Sequence, residues 1–181
     1  MRDFLLDTQT VRYWYDRECP QNRTVVANIG SLREQVESLE HKPKLLVSVI
    51  TLGEIEFGHR VNPSRNLDEY LRFVSEQLPE RLEVTADAAT VFGELRKLLF
   101  NKYAPGEKRK PKMRPEQLID PITSKELGIQ ENDLWLCAQA IGHEMVLVTN
   151  DGMCRIREVS QGMQPLLLIQ NWTVPDSVKI E

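Results

Sequence analysis

The chain has 181 residues, 41% of them hydrophobic and 28% charged, the balance of a globular protein rather than a disordered or membrane-embedded one. Its length is that of one domain, here 1–181, able to bury a substantial core. A net charge of −4 argues against a uniformly basic nucleic-acid binder.

The predicted elements alternate between short apolar strands and amphipathic helices. Phe4–Leu6 reads as a strand, and a short helix is expected from Asp7 to about Tyr15. Residues 16–28 are polar and irregular. A helix is predicted over Gly30–His41, from Leu32, Val36 and Leu39 at helical spacing, and Pro43 closes it. Leu45–Ile50 is apolar but for Ser48, as a strand covered on both faces would be. Helices then follow over Thr51–Arg60 and Asn66–Leu78, a short strand over Leu82–Val84, and a strong amphipathic helix over Asp87–Phe100.

Regularity fails over residues 101–130, where Pro105, Pro111, Pro115 and Pro121 break any element. This stretch reads as a basic insertion or long loop. From Arg96 to Arg114 eight lysines and arginines face Glu107 alone. A helix returns at Glu131–Ile141, with Leu134, Cys137, Ala138 and Ile141 on one face. Met145–Val148 is a further buried strand, Asn150–Gly152 a turn, and Leu166–Ile169 a last strand. The expected fold is α/β, a mostly parallel central sheet flanked by helices in three layers.

Apolar runs such as Lys44–Leu52 are too short to span a bilayer. The first residues lack the apolar core of a secretory signal, so a cytoplasmic protein without membrane attachment is expected. The three cysteines, Cys19, Cys137 and Cys154, are an odd number without metal-site spacing and suit reduced thiols. Core packing is expected for Cys137.

Four acids follow strands or open helices: Asp7 after the first strand, Glu54 in "VSVITLGEIEFG", Asp133 in "ENDLWLCAQA" and Asp151 in "VLVTND". Each has a structural explanation. Asp7 can cap the next helix. Thr51 and Glu54 have capping-box spacing, Asp133 is a first-turn acid favoured by the helix dipole, and Asp151 can form an Asx-turn before Gly152. Taken together they point further. In an open parallel sheet, strand C-termini and helix N-termini share the edge where ligands bind. Carboxylates converging there repel one another unless a cation lies between them, and hard oxygen donors suit Mg²⁺ or Mn²⁺. An acidic crevice and a basic loop fit metal-assisted attack on a phosphodiester.

"FLLDT", "VSVITLGEIEFG", "NDLWLCAQA" and "LVTND", in this order and closing with "NW", resemble the PIN-domain ribonucleases, most of all the VapC-type toxins of toxin–antitoxin pairs. The resemblance covers nearly the whole chain except the basic insertion. It implies a PIN-like fold and a metal-dependent ribonuclease, with Asp7, Glu54, Asp133 and Asp151 holding Mg²⁺ or Mn²⁺. It further implies Thr8, Asn132 and Thr149 in support, products with a 5′-phosphate and a 3′-hydroxyl, a cognate antitoxin and a homodimer. Gln9 stands where an asparagine or serine is more usual, and Met153 and Cys154 where an aromatic is frequent.

As an RNA-contacting flap, the basic insertion would offer Lys108, Arg109, Lys110 and Lys112 to phosphates; as a solvated loop it would do nothing specific. The histidines, His41, His59 and His143, read as surface or helix-end residues rather than an acid/base pair. The alternative function is a non-catalytic RNA- or partner-binding domain of the same fold. A haloacid-dehalogenase-type phosphotransferase would want a second aspartate at position 9, where Gln9 stands.

Overall fold

The computed structural model describes residues 1–63, 67–107 and 112–180. The chain divides into two compact units, one formed by Met1–Glu83, Met145–Gly152 and Leu168–Glu181, the other by Val84–Glu144 and Met153–Leu167.

The first unit holds a five-stranded, all-parallel sheet built from β1 (Phe4–Leu6), β2 (Leu45–Ser48), β3 (Arg81–Leu82), β4 (Val146–Val148) and β5 (Leu168–Gln170). Their order is β3-β2-β1-β4-β5. β1 is the central strand, in register with Leu45–Val47 on one side and Val146–Val148 on the other. After β1 the chain builds outward through β2 and β3, then returns to place β4 against the opposite edge of β1. The strand order therefore reverses between β1 and β4, and at such a point the C-terminal strand ends splay into a crevice.

This unit also contains α1 (Thr8–Tyr15), α2 (Asn22–Gln35), α3 (Val49–Val61) and α4 (Leu67–Gln77). Its core joins Phe4, Leu6, Val47, Val146 and Val148 of the sheet to Val11, Trp14, Ile29, Leu32 and Val74 of the helices. Trp172 is 1% exposed and packs its ring 5.3 Å from that of Phe4.

The second unit holds α5 (Ala86–Tyr103), α6 (Glu131–Gly142), α7 (Cys154–Ser160) and a 3₁₀ turn at Pro115–Gln117. Phe92 of α5 stacks on Trp135 of α6, with ring centroids 3.9 Å apart and planes 11° from parallel. Gly142 lets the end of α6 pass close to α5, since a Cβ there would meet the Ala88 backbone at 3.4 Å. α5 is tied to α7 through Glu158, which accepts from the Tyr103 hydroxyl at 2.7 Å and pairs with Lys102 at 2.6 Å.

The structure corrects the sequence reading in several places. α2 begins at Asn22, well before Gly30, and ends at Gln35 rather than His41. Val25, Ile29, Leu32 and Val36 form one buried stripe, and the polar residues between them hid its N-terminal half. Asn28, 2% exposed, lies on that buried face because its side-chain amide donates to the Trp172 and Val174 carbonyls, both at 2.8 Å. Strand β2 stops at Ser48, whose hydroxyl caps α3 by accepting the Ile50 N–H at 3.0 Å. The apolar pair Val49 and Ile50 belongs to the helix.

Helix α7 was not expected, being short and entered through Met153 at φ +45°, a left-handed conformation that a methionine does not advertise. Residues 112–130 contain local order that their prolines disguised. An antiparallel bridge joins Ile119 to Glu126, Leu118 is buried, and Asp120 pairs with Arg155 at 2.7 Å. Cys137 lies in the core as expected, at 0% exposure. No described helix is long and apolar enough to cross a membrane.

Candidate active site

Asp7 leaves β1 with extended backbone (φ −75°, ψ 169°) and caps α1, its Oδ1 accepting the Thr10 N–H at 2.6 Å. The expected cap is therefore real. Asp7 also sits at the reversal between β1 and β4: its N–H donates to the Val148 carbonyl at 3.1 Å, and the Thr10 hydroxyl donates to the same oxygen at 3.0 Å. These bonds set the first turn of α1 onto the C-terminal end of β4.

A helix cap normally faces water, whereas Asp7 is 7% exposed. Burial raises its pKa above the ordinary carboxylate value, opposed by hydrogen bonds from Thr149 and Thr10, and the nearby negative charge of Glu54 raises it further. Thr149, 0% exposed, follows β4 and receives the Asp151 N–H on its hydroxyl at 3.0 Å. One side chain thus braces the Asp7 carboxylate and the backbone of the next acid.

The capping-box explanation for Glu54 does not hold, because Ser48 and not Thr51 is the α3 cap. Glu54 lies a turn deeper, and its Oε2 accepts a short hydrogen bond from the Thr8 hydroxyl. That bond links α3 to the first residue of α1 across 46 positions of sequence. Thr51 is fully buried with a hydroxyl that lacks a hydrogen-bond partner among the described residues.

Asp7, Thr8, Glu54 and Thr149 therefore come together in the first unit, and Asp151, exposed, is attached to them through Thr149. Asp133 and Asn132 belong to the second unit, both half-buried in the first turn of α6. There the Asp133 carboxylate accepts the Gln130 N–H at 3.2 Å, closing a capping box. Lys112 is exposed, whereas Lys108, Arg109 and Lys110 lie outside the described residues.

Among the described residues no group of three or more His, Cys, Asp and Glu side chains is gathered closely enough to hold a metal ion. Asp7 and Glu54 are hard-oxygen donors within electrostatic reach of each other, Glu54 being bonded to Thr8, the residue next to Asp7. That chemistry fits Mg²⁺ or Mn²⁺, which need only one or two carboxylates beside water and phosphate oxygens. Sequence reasoning passed over Thr10 and Ser48; the Asp7-x-x-Thr10 spacing of a side-chain cap was the available signal for the first.

His143 caps the end of α6, with its Nε2 3.2 Å from the Thr85 hydroxyl, and His41 is exposed. Both match the surface or helix-end placement expected of them.

An all-parallel five-stranded sheet in the order β3-β2-β1-β4-β5, flanked by helices, is an open α/β architecture of the kind the expected PIN-like fold uses. No protein-family model matches the chain, and no curated protein matches it. Solved structures do. The structure of VapBC2 from Rickettsia felis bound to a DNA fragment from their promoter matches with a TM-score of 0.63 at 21% identity, over 93% of this chain and 98% of that one. VapBC-1 from nontypeable Haemophilus influenzae matches with a TM-score of 0.58 at 19% identity, over 94% and 98%. DNA-bound VapBC from Salmonella typhimurium matches at 0.56 and 22%, over 95% and 99%. The resemblance read from the motifs is thus borne out as a shared fold over almost the full length of both chains.

Proposed function

We propose that the protein is a metal-dependent ribonuclease, the toxin of a toxin–antitoxin pair. The observation that carries the reading is Asp7: a buried carboxylate at the end of the central strand, where the strand order reverses, within electrostatic reach of Glu54. A folding role alone would favour an uncharged cap there, since burial and repulsion both penalise the charge.

In this reading Asp7 and Glu54 hold Mg²⁺ or Mn²⁺ beside water and phosphate oxygens, with Asp151 attached to them through Thr149. The ion supplies a water ionised near neutral pH and a Lewis acid for a phosphate oxygen. Thr10 and Thr149 fix the Asp7 carboxylate, and Thr8 fixes that of Glu54. Lys112, with Lys108, Arg109 and Lys110, contributes charge for RNA phosphates. The matched VapBC structures, two of them with DNA, support a cognate antitoxin as partner. A homodimer and a cytoplasmic location belong to the same proposal.

The test is incubation of the purified protein with a labelled RNA panel in Mg²⁺, in Mn²⁺ and in EDTA, beside Asp7→Asn. Cleavage should require metal and disappear in the variant. Metal-independent RNA binding without cleavage by the folded wild type would favour the non-catalytic binding domain instead.

A further inference from the structure

Next to the bonds that hold the Asp7 carboxylate runs a second polar chain that takes no part in holding it. The Asn150 amide donates to the Tyr13 hydroxyl at 3.4 Å, and that hydroxyl donates to the Gln9 side-chain oxygen, Oε1, at 3.1 Å. Gln9 and Tyr13 lie one turn apart on α1 and so share a face. Asn150 stands between Thr149 and Asp151, in the segment that follows β4. The chain therefore links the first turn of α1 to the end of β4, at the point where the strand order reverses, and all of it lies in the first unit.

Its direction decides what it offers. An amide held through its oxygen keeps two N–H groups to give, and those of Gln9 have no acceptor among the described residues. The neighbouring hydroxyls are already committed: Thr8 to Glu54, Thr10 to the Val148 carbonyl, Thr149 to Asp7 and Tyr13 to Gln9 itself. Two side chains are exposed in the first turn of α1 and residues 148–151, Gln9 and Asp151. The second is a carboxylate, so Gln9 is the exposed donor of this edge.

A donor calls for an acceptor. An RNA backbone brought to these carboxylates presents phosphate and ribose oxygens, all of which accept, while ionised Asp7, Glu54 and Asp151 have nothing to donate to them. A lysine or arginine here would pair with the carboxylates and compete for them with a metal ion. A neutral amide donates without doing so.

We propose that the Gln9 amide donates to an oxygen of the RNA backbone beside the scissile bond, and that Tyr13, anchored on Asn150, is the positioning residue that keeps its N–H groups free for the substrate. The proposal rests on the ribonuclease reading for its substrate, but its test does not require cleavage.

Gln9→Ala and Tyr13→Phe, singly and together, are compared with the wild type. Binding of a fluorescein-labelled single-stranded RNA of mixed sequence, and of the DNA of the same sequence, is followed by anisotropy in EDTA over a salt series. Cleavage of the RNA is followed in Mg²⁺. Gln9→Ala should weaken RNA binding roughly five- to ten-fold, the loss of one hydrogen bond, and raise KM by as much. It should leave kcat, the salt slope and Tm unchanged, because an exposed neutral side chain is removed. A loss for RNA and DNA alike places the amide on a phosphate oxygen, and a loss for RNA alone places it on the 2′-hydroxyl. Tyr13→Phe should cause a smaller loss by freeing the amide to turn, and no further loss in the Gln9→Ala protein.

Wild-type affinity and KM in Gln9→Ala, or a Tyr13→Phe loss of equal size in both backgrounds, overturns the proposal and leaves the ribonuclease standing. RNA binding that depends on Gln9, without cleavage by the wild type, supports the contact and removes the ribonuclease. A folded wild type that neither binds nor cleaves RNA defeats both.

Discussion

Replacing Asp7 by Asn separates folding from function, because the two make opposite demands on this side chain. Asparagine caps helices about as well as aspartate, so the bond from the Thr10 N–H survives. The Thr149 hydroxyl, which can donate or accept, adapts to the amide. What is lost is a buried charge and its repulsion by Glu54. On the scale of buried polar groups this relief is on the order of 1–2 kcal/mol, or roughly 2–8 °C in Tm for a domain of this size.

The dependence on pH follows from the sign of the perturbation. Because the folded protein holds the Asp7 proton more tightly than the unfolded chain does, this group favours folding at low pH and loses that contribution as pH rises through its raised value. The stability advantage of Asp7→Asn should therefore be absent at acid pH, grow above the ordinary aspartate range and level off once pH has passed the raised value. Mn²⁺ reverses the order. At a hundred times its dissociation constant a ligand of the folded state adds about 2.7 kcal/mol, raising wild-type Tm by roughly 5–10 °C and leaving the variant unmoved. Scanning calorimetry across pH, with and without Mn²⁺, reads both effects. A variant that melts lower at neutral pH would show Asp7 to be a structural cap, and one raised by Mn²⁺ as much as the wild type would remove it from the metal site.

Ser48→Ala should lower stability by about 1 kcal/mol through loss of the α3 cap, and reduce cleavage with it because α3 carries Glu54; an unchanged melting curve would show the cap to be idle. Asn28→Ala strands the Trp172 and Val174 carbonyls and should cost on the order of 2–4 kcal/mol, with limited proteolysis showing the C-terminal segment released first. The Asp120 carboxylate is held below its usual range by the Ile122 and Thr123 N–H groups and by Arg155. Its contribution is present above the unfolded value and lost as pH falls through the lower folded one, so the protection of the Ile122 and Thr123 amides, relative to their intrinsic exchange at each pH, should fall in acid and lose this dependence in Asp120→Asn. Reversing the charges of Lys108, Arg109, Lys110 and Lys112 together should weaken RNA binding and flatten its salt dependence; an unchanged salt slope would end the flap reading.

Where the chain obeys one period, the sequence was legible. β1, α1 and α6 lie where strand character, capping acids and apolar spacing place them, because each packs against neighbours that its own pattern anticipates. Legibility failed where a partner distant in sequence decides the local structure. Asn28 belongs on a buried face only because Trp172 and Val174 offer it carbonyls. Val49 and Ile50 look like strand until Ser48 turns the chain and caps the helix. The α7 start depends on one residue in a left-handed conformation. Of the site, the residue types were visible and the relations were not. Nothing local tells that Thr8 bonds Glu54, or that Thr149 serves both Asp7 and the backbone of Asp151.

The cap and the metal ligand, opposed as explanations of Asp7, are compatible once the sheet is in view. A residue that ends a central parallel strand and opens a helix occupies the crevice edge by topology, and capping takes only one carboxylate oxygen, Oδ1. The cap then becomes the device that orients the other. Its rigidity matters because an active-site carboxylate must be held within a narrow geometry to select one ion and one phosphate position. Glu54 reaches the same place without a capping role, held instead by Thr8 from the first turn of the helix that Asp7 caps. Two carboxylates oriented by one helix start, one of them buried and within reach of the other's charge, do not favour stability. As the arrangement that a divalent cation would relieve, they are well placed.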